Sequence, residues 1–231
     1  MSNIIHFEDL GLRDYKEVWD YQENLFNQLM ATKTEIAKTQ NSDQLQHLLF
    51  VEHPHVYTLG KSGEVNNLLI NDQFLKNINA TFYKINRGGD ITYHGPGQIV
   101  GYPIFDLEKL KMGVKEYIFK LEQAIIDTLA HYNLNTDRLD GATGVWLDTK
   151  KPGSARKLCA IGVRASRYIT MHGFALNVNT NLTYFSHINP CGFVDKGVTS
   201  MQKELGYELD FDEVKEKLEK IILKTFNLTL A

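Results

Sequence analysis

From Tyr15 to about residue 37 the apolar residues Val18, Trp19, Leu25, Phe26, Leu29 and Met30 fall three, four or seven positions apart among charged neighbours, which predicts an amphipathic helix. Two short strand-like runs follow, residues 48–51 and 56–59, broken by His53-Pro54-His55, a turn signal. Strand-like runs at 80–85 and 99–105 bracket a glycine-rich stretch. Val114, Tyr117, Ile118, Leu121, Ile125 and Leu129 then mark a second helix. Residues 144–147, carrying Trp146, and the runs 158–165 and 169–178 read as further strands. In the last segment Phe211, Val214, Leu218, Ile221 and Ile222 share one face, and Asp210 with Glu213 imitates a capping box, so a helix is predicted from 210 to 226. No repeat, low-complexity tract or linker divides the chain. The pattern predicts a single α/β domain over residues 1–231, a mixed β-sheet flanked by helices with its core at about 45–195 and room for the last helix to form a small appendage.

Composition narrows the class. At 43% hydrophobic and 23% charged residues the chain reads as a globular protein, not a disordered or fibrous one. A net charge of −3 gives no footprint for general nucleic-acid binding. With neither a basic, apolar leader pattern nor a membrane-length apolar run, the expected setting is cytoplasmic, with no membrane partner. Two cysteines, Cys159 and Cys191, are too few for a disulfide framework and lack metal-site spacing.

The densest chemistry lies in residues 87–98, Arg-Gly-Gly-Asp-Ile-Thr-Tyr-His-Gly-Pro-Gly-Gln. It is not a phosphate-binding P-loop, which needs Gly-Lys-Ser/Thr after its glycines. It is not a dinucleotide fingerprint either, because Val100 stands where the third glycine belongs and strand-like residues follow. It reads as a glycine-rich loop whose backbone N–H groups can approach a ligand closely.

Cys191, on an Asn-Pro-Cys-Gly turn, is a candidate nucleophile. An ordinary thiol titrates near ~8.5, so a nearby cation is needed to make it a thiolate at neutral pH. Lys157, opening a strand after the basic loop 150–157, is a candidate for that cation. Residues two apart on a strand share a face, so Cys159 beside Lys157 is a rival nucleophile, and spacing does not decide between the two thiols.

Arg87, Gly88, Gly89, Thr92, Tyr93, His94, Gly97 and Gln98 match the pattern Arg-Gly-Gly-x-x-Thr-aromatic-His-x-x-Gly-Gln. Lys157 with Gly162, the run His172-Gly173-Phe174-Ala175-Leu176-Asn177 and Pro190-Cys191-Gly192 follow it in order. In these motifs, from about His53 to Cys191, the chain resembles the lipoyl(octanoyl) transferases. The resemblance implies the catalytic-domain fold shared by biotin and lipoate protein ligases. It implies an acyltransferase that moves an octanoyl group from octanoyl-acyl carrier protein to a lysine of lipoyl domains, those of 2-oxo acid dehydrogenase complexes and glycine cleavage protein. It further implies a Cys191 thioester intermediate, Lys157 as its acid or base, and no role for Cys159 as nucleophile. The substrate would be cradled by Arg87, Gly88, Gly89, Asp90, Ile91, Thr92, Tyr93 and His94, by Ala160, Ile161 and Gly162, and by Gly173, Phe174 and Ala175. No metal and no cofactor is implied beyond the phosphopantetheine that carries the acyl group.

The residue types suit that reaction. Small side chains at Ala160, Gly162, Gly173 and Ala175 are expected to leave space between strands for a linear chain. Burying about six methylenes at ~0.8 kcal/mol each would contribute about 5 kcal/mol. Lys150, Lys151, Arg156, Arg164 and Arg167 form a candidate docking patch for acidic protein partners. The rival readings are an ATP-dependent lipoate ligase on the same fold, a non-catalytic binder of acyl carrier or lipoyl domains, and a metal hydrolase built on His53, His55, His94 and His172.

Overall fold

The computed structural model describes residues 3–39, 45–189 and 197–231, with side chains given outside 35–39. In chain order the elements are β1 (Ile4–Leu12), α1 (Tyr15–Thr39), β2 (Gln46–Glu52), β3 (Val56–Leu59), α2 (Asp72–Asn77), β4 (Thr81–Lys84), β5 (Ile91–His94), β6 (Gln98–Ile104), α3 (Val114–Ala130), β7 (Asp137–Leu139), β8 (Ala142–Leu147), β9 (Arg156–Ser166), β10 (Ile169–Asn177), β11 (Gly197–Val198), α4 (Met201–Leu205), α5 (Phe211–Phe226) and β12 (Thr229–Leu230). The main sheet is mixed, ordered β12-β1-β2-β6-β10-β9-β8-β7, with β11 on β9. A second sheet, β4-β3-β5, is separate. This is the α/β architecture with a mixed sheet and flanking helices that the periodicity predicts.

Alternation along the central strands feeds two cores. Leu48, Phe50, Ile99 and Leu176 join α3 and α5 in the larger cluster. Leu49, Val51, Val100, Ile104 and Ala175 meet Val18, Leu25, Phe26 and Leu29 of α1. β6 and β10 are buried along their whole lengths, as strands covered on both faces must be. The C-terminal helix is not an appendage. Val214, Leu218, Ile222 and Phe226 of α5 belong to the larger core, and Asp210 caps it by accepting hydrogen bonds from the N–H groups of Asp212 and Glu213. No helix among the described residues is long and apolar enough to cross a membrane.

Two glycines, Gly173 of β10 and Gly162 of β9, serve packing. A Cβ on Gly173 would overlap the Gly101 carbonyl oxygen and lie 2.6 Å from Pro103 Cδ, so β10 and β6 depend on its absence. A Cβ on Gly162 would lie 3.0 Å from the Gly88 carbonyl and 3.1 Å from Arg87 Cδ. The expectation that these glycines open space for an acyl chain is therefore corrected: they line the cavity, but their missing side chains admit neighbouring backbone and Arg87. Gly173→Ala is expected to cost about 3 kcal/mol through overpacking. Its thermal midpoint should fall by roughly 6–12 °C in a scanning calorimeter, for a chain of this size.

Candidate active site

Residues 87–90 cross β9 and place the site. Gly88 N–H donates to the Val163 carbonyl at 2.9 Å, and Arg87 Nη2 donates to the Thr58 carbonyl and hydroxyl at 2.7 and 3.0 Å, tying the segment to both sheets. The stretch read as one continuous loop contains β5, antiparallel to β3. Between this segment and β6, β10, β9 and β8 lies a cavity of ≈400 Å³.

Lys157 and all the expected substrate contacts except Tyr93 line this cavity. Tyr93 is fully buried on the other side of β5. There it stacks on Tyr184 with centroids 4.9 Å apart, and its hydroxyl bonds His55 Nδ1 at 2.8 Å. Pro190, Cys191 and Gly192 lie outside the described residues. The chain resumes at β11, where Val198 pairs with Lys157 and Thr199 N–H donates to the Lys157 carbonyl at 2.9 Å.

The alternation argument that put Cys159 beside Lys157 is overturned by a β-bulge. Val145 pairs with Cys159, but the next residue, Trp146, pairs with Lys157, so Leu158 is the extra residue. Lys157 consequently lines the cavity, whereas Cys159 is fully buried in the larger core, its thiol pushed well up by burial. A neutral core thiol is no rival nucleophile.

One end of the cavity is polar. Tyr15, Arg87, His94, Tyr102 and His172 meet there, all less than a tenth exposed. His94 Nδ1–H donates to Gln98 Oε1 at 2.8 Å, Gln98 Nε2 donates to Asn177 Oδ1 at 2.8 Å, and Asn177 Nδ2 donates to the Thr199 carbonyl at 3.0 Å. This chain runs from the glycine-rich segment to the residue hydrogen-bonded to Lys157. His53 donates to the Arg13 carbonyl and accepts from Tyr102, both at 2.8 Å. His172, at φ +57°, donates from Nε2 to Asn86 Oδ1 at 2.7 Å. Burial holds all three histidines neutral. His53 is lowered to about 4. His94 and His172 are each lowered to about 3, with the nearby Arg87 adding to the effect. No group of three His, Cys, Asp or Glu that could hold a metal occurs among the described residues.

Periodicity assigned Tyr15, Tyr102 and Trp146 to core or strand positions only. The aromatic at the start of α1 gave no signal of its role, because its ring partners His53, Tyr83 and His94 come from distant stretches of the chain.

Of the five basic residues, Arg164 stands apart from Lys151 and Arg156. Arg156 is bound by Asp148 and Glu204, Lys151 shares Asp148, and Arg164 lies over the Phe26 ring, eight residues along β9 from Arg156.

With this fold and cavity, the chain is an acyltransferase by its full-length relatives. The model of the lipoyl protein ligase A/B catalytic domain matches residues 14–223, and the chain belongs to that family. Among its relatives, the octanoyltransferases of Flavobacterium psychrophilum and Flavobacterium johnsoniae are each 55% identical over the full length of both chains. That of Parabacteroides distasonis is 54% identical over 95% of this chain and 97% of its own. The fold resembles a bipartite lipoate protein ligase from Thermoplasma acidophilum, with a TM-score of 0.71 and 13% identity over 99% of this chain and 86% of that one. It also resembles lipoate-protein ligase A bound with ATP, with a TM-score of 0.68 and 13% identity over 100% and 88%.

Proposed function

We infer that the chain is an octanoyltransferase of lipoate biosynthesis, taking its acyl group from octanoyl-acyl carrier protein and delivering it to a lysine of lipoyl domains. The full-length identity to octanoyltransferases carries the reading of the reaction. The acceptors are the lipoyl domains of 2-oxo acid dehydrogenase complexes and glycine cleavage protein.

Lys157 in the cavity wall supports a two-step path. Cys191 thiolate attacks the thioester carbonyl, the bond from carbonyl carbon to phosphopantetheine sulfur breaks, and the departing thiolate takes a proton from the Lys157 ammonium. The acceptor amine then attacks the octanoyl-Cys191 thioester, the new amide forms, and the Cys191 sulfur leaves while Lys157 takes up the amine's proton. Thioester to amide is downhill, so no nucleotide or other cofactor is called for. The octanoyl chain lies along Ala160, Ile161, Phe174 and Ala175, and the neutral histidines at the polar end place no charge beside it.

The test is the intact mass of the protein and of Cys191→Ser after incubation with octanoyl-acyl carrier protein without ATP. The expected result is a single octanoyl adduct that hydroxylamine removes. In the serine variant the adduct should be absent or hydroxylamine-resistant. Acceptor modification that occurs only with free fatty acid and ATP would instead assign the chain to the ligases.

A further inference from the structure

Across the β8–β9 ladder from Lys157 stands Trp146, which is 2% exposed, and the lysine Nζ lies 4.6 Å from the indole ring centroid. The ring cannot turn away. Its Nε1–H donates to the Ala142 carbonyl at 2.9 Å, and Ala142 and Ala155 pack around it. The lysine stem is shaped from the other side by Gly144, where an added Cβ would lie 3.5 Å from Lys157 Cε and overlap closely with the Cys159 carbonyl. Gly144 sits at φ +124°, a conformation that favours glycine, and its N–H is held by Glu122 Oε1 at 3.0 Å. The pairing of Trp146 with Lys157 exists only because of the bulge at Leu158. In regular register Lys157 would oppose Leu147.

We propose that Trp146 is a positioning residue of the acyl-transfer reaction: its indole face seats the Lys157 ammonium in the cavity wall and holds the cation ready for the reacting thiol. The proposal rests on the reading of Lys157 and Cys191 given above. An aromatic face attracts an ammonium through its quadrupole and does little for the neutral amine, an effect worth several-fold to about thirtyfold when the site is desolvated. Among the described residues of this stretch, three further charged or titratable groups are matched or neutral. Glu122 of α3 is paired with Arg138 at 3.0 Å, Arg156 is paired with Asp148 and Glu204, and the Cys159 thiol is held neutral by burial. At 4.6 Å from the ammonium, the indole acts on the protonated state of Lys157 without carrying a charge of its own.

The experiment measures single-turnover transfer from octanoyl-acyl carrier protein to a lipoyl domain between pH 6 and 10. It compares the wild type with Trp146→Leu, Trp146→Phe, Lys157→Met and Cys191→Ser. Trp146→Leu should slow transfer about tenfold near neutrality and move the alkaline limb of the profile about one pH unit toward neutral. Trp146→Phe, which keeps a π face, should recover most of both. A leucine that lowers the rate without moving the limb, or a phenylalanine as impaired as the leucine, would show that the indole only fills space and would overturn the proposal. Loss of activity in Lys157→Met alongside wild-type behaviour of both Trp146 variants would sink the Trp146 assignment alone. Wild-type activity in Lys157→Met would sink the catalytic reading and this proposal with it. Because leucine at so buried a site can cost the fold, fluorinated tryptophans placed at position 146 alone provide a second measurement. They keep shape and N–H while draining the π face, so the limb should move stepwise with fluorine count, and an unchanged limb would overturn the proposal.

Discussion

Lys157→Met is expected to slow octanoyl transfer by about a thousandfold, the middle of the range contributed by a positioned acid or base. Methionine keeps an unbranched stem of similar length against Gly144 and Trp146, so the change removes the ammonium and little packing. The loss should divide between steps. At neutral pH, alkylation of the enzyme thiol by iodoacetamide should slow about tenfold, because the thiolate loses its neighbouring cation. The remaining loss should appear in the departure of the phosphopantetheine sulfur, which no longer has a proton donor. The alkylation signal reports on Cys191 alone, since the chain has two cysteines and Cys159 is fully buried with its thiol pushed up. Equal alkylation and transfer rates in variant and wild type would remove Lys157 from the mechanism.

Acid is expected to unfold the protein through its buried histidines. His53, held at about 4, and His94 and His172, each at about 3, stay neutral when folded, whereas in the unfolded chain they titrate near ~6.5. The unfolded state therefore binds more protons as pH falls. The histidine contribution is fully present above about pH 6.5 and is lost progressively as pH drops toward the folded values. With three groups, the slope approaches roughly 4 kcal/mol per pH unit near pH 5 as an upper bound, because His53 and His94 are neighbours and share one effect. Urea midpoints at pH 7.5, 6.0 and 5.0 check this. The midpoint should fall steeply below pH 6.5, and His53→Gln should flatten the fall by about a third. An identical midpoint at pH 7.5 and 5.0 would contradict the buried, neutral assignment.

How much of this was legible in the sequence depended on whether the signal was local. The helices α1, α3 and α5 emerged from spacing because each buries one stripe, and Asp210 announced the start of α5 by a chemistry confined to four residues. β1 was missed. Of its nine residues only Ile5 is buried, and its place depends on parallel pairing with β2 and with β12, more than 200 residues away in sequence. β5 was hidden by the glycines around it, although Ile91 and Tyr93 alternate with Thr92 and His94. For the site, Lys157 and the contacts implied by the family resemblance, except Tyr93, line one cavity, while Cys191 lies outside the described residues. Period-two reasoning could not see the bulge, so it put Lys157 and Cys159 on one face. The polar end escaped notice because Tyr15 and Tyr102 meet His94 and His172 from four separate elements, a coincidence that no single stretch of chain records.

The extra residue in β9 also bears on how this protein tolerates changes in length. The turn at residues 149–155 precedes the bulge and makes no ladder of its own, so residues added there lengthen a loop and leave the Lys157–Trp146 pairing in place. Inserting a single residue opposite the bulge, between Val145 and Trp146, would give Leu158 a partner and restore regular register, exchanging the faces of everything on one side of the break. Lysine would then be driven toward the apolar core or Cys159 lifted out of it. For a protein engineer, insertions a few residues apart on this hairpin thus differ in kind: one is a spacer, the other rewrites which side chains meet the substrate.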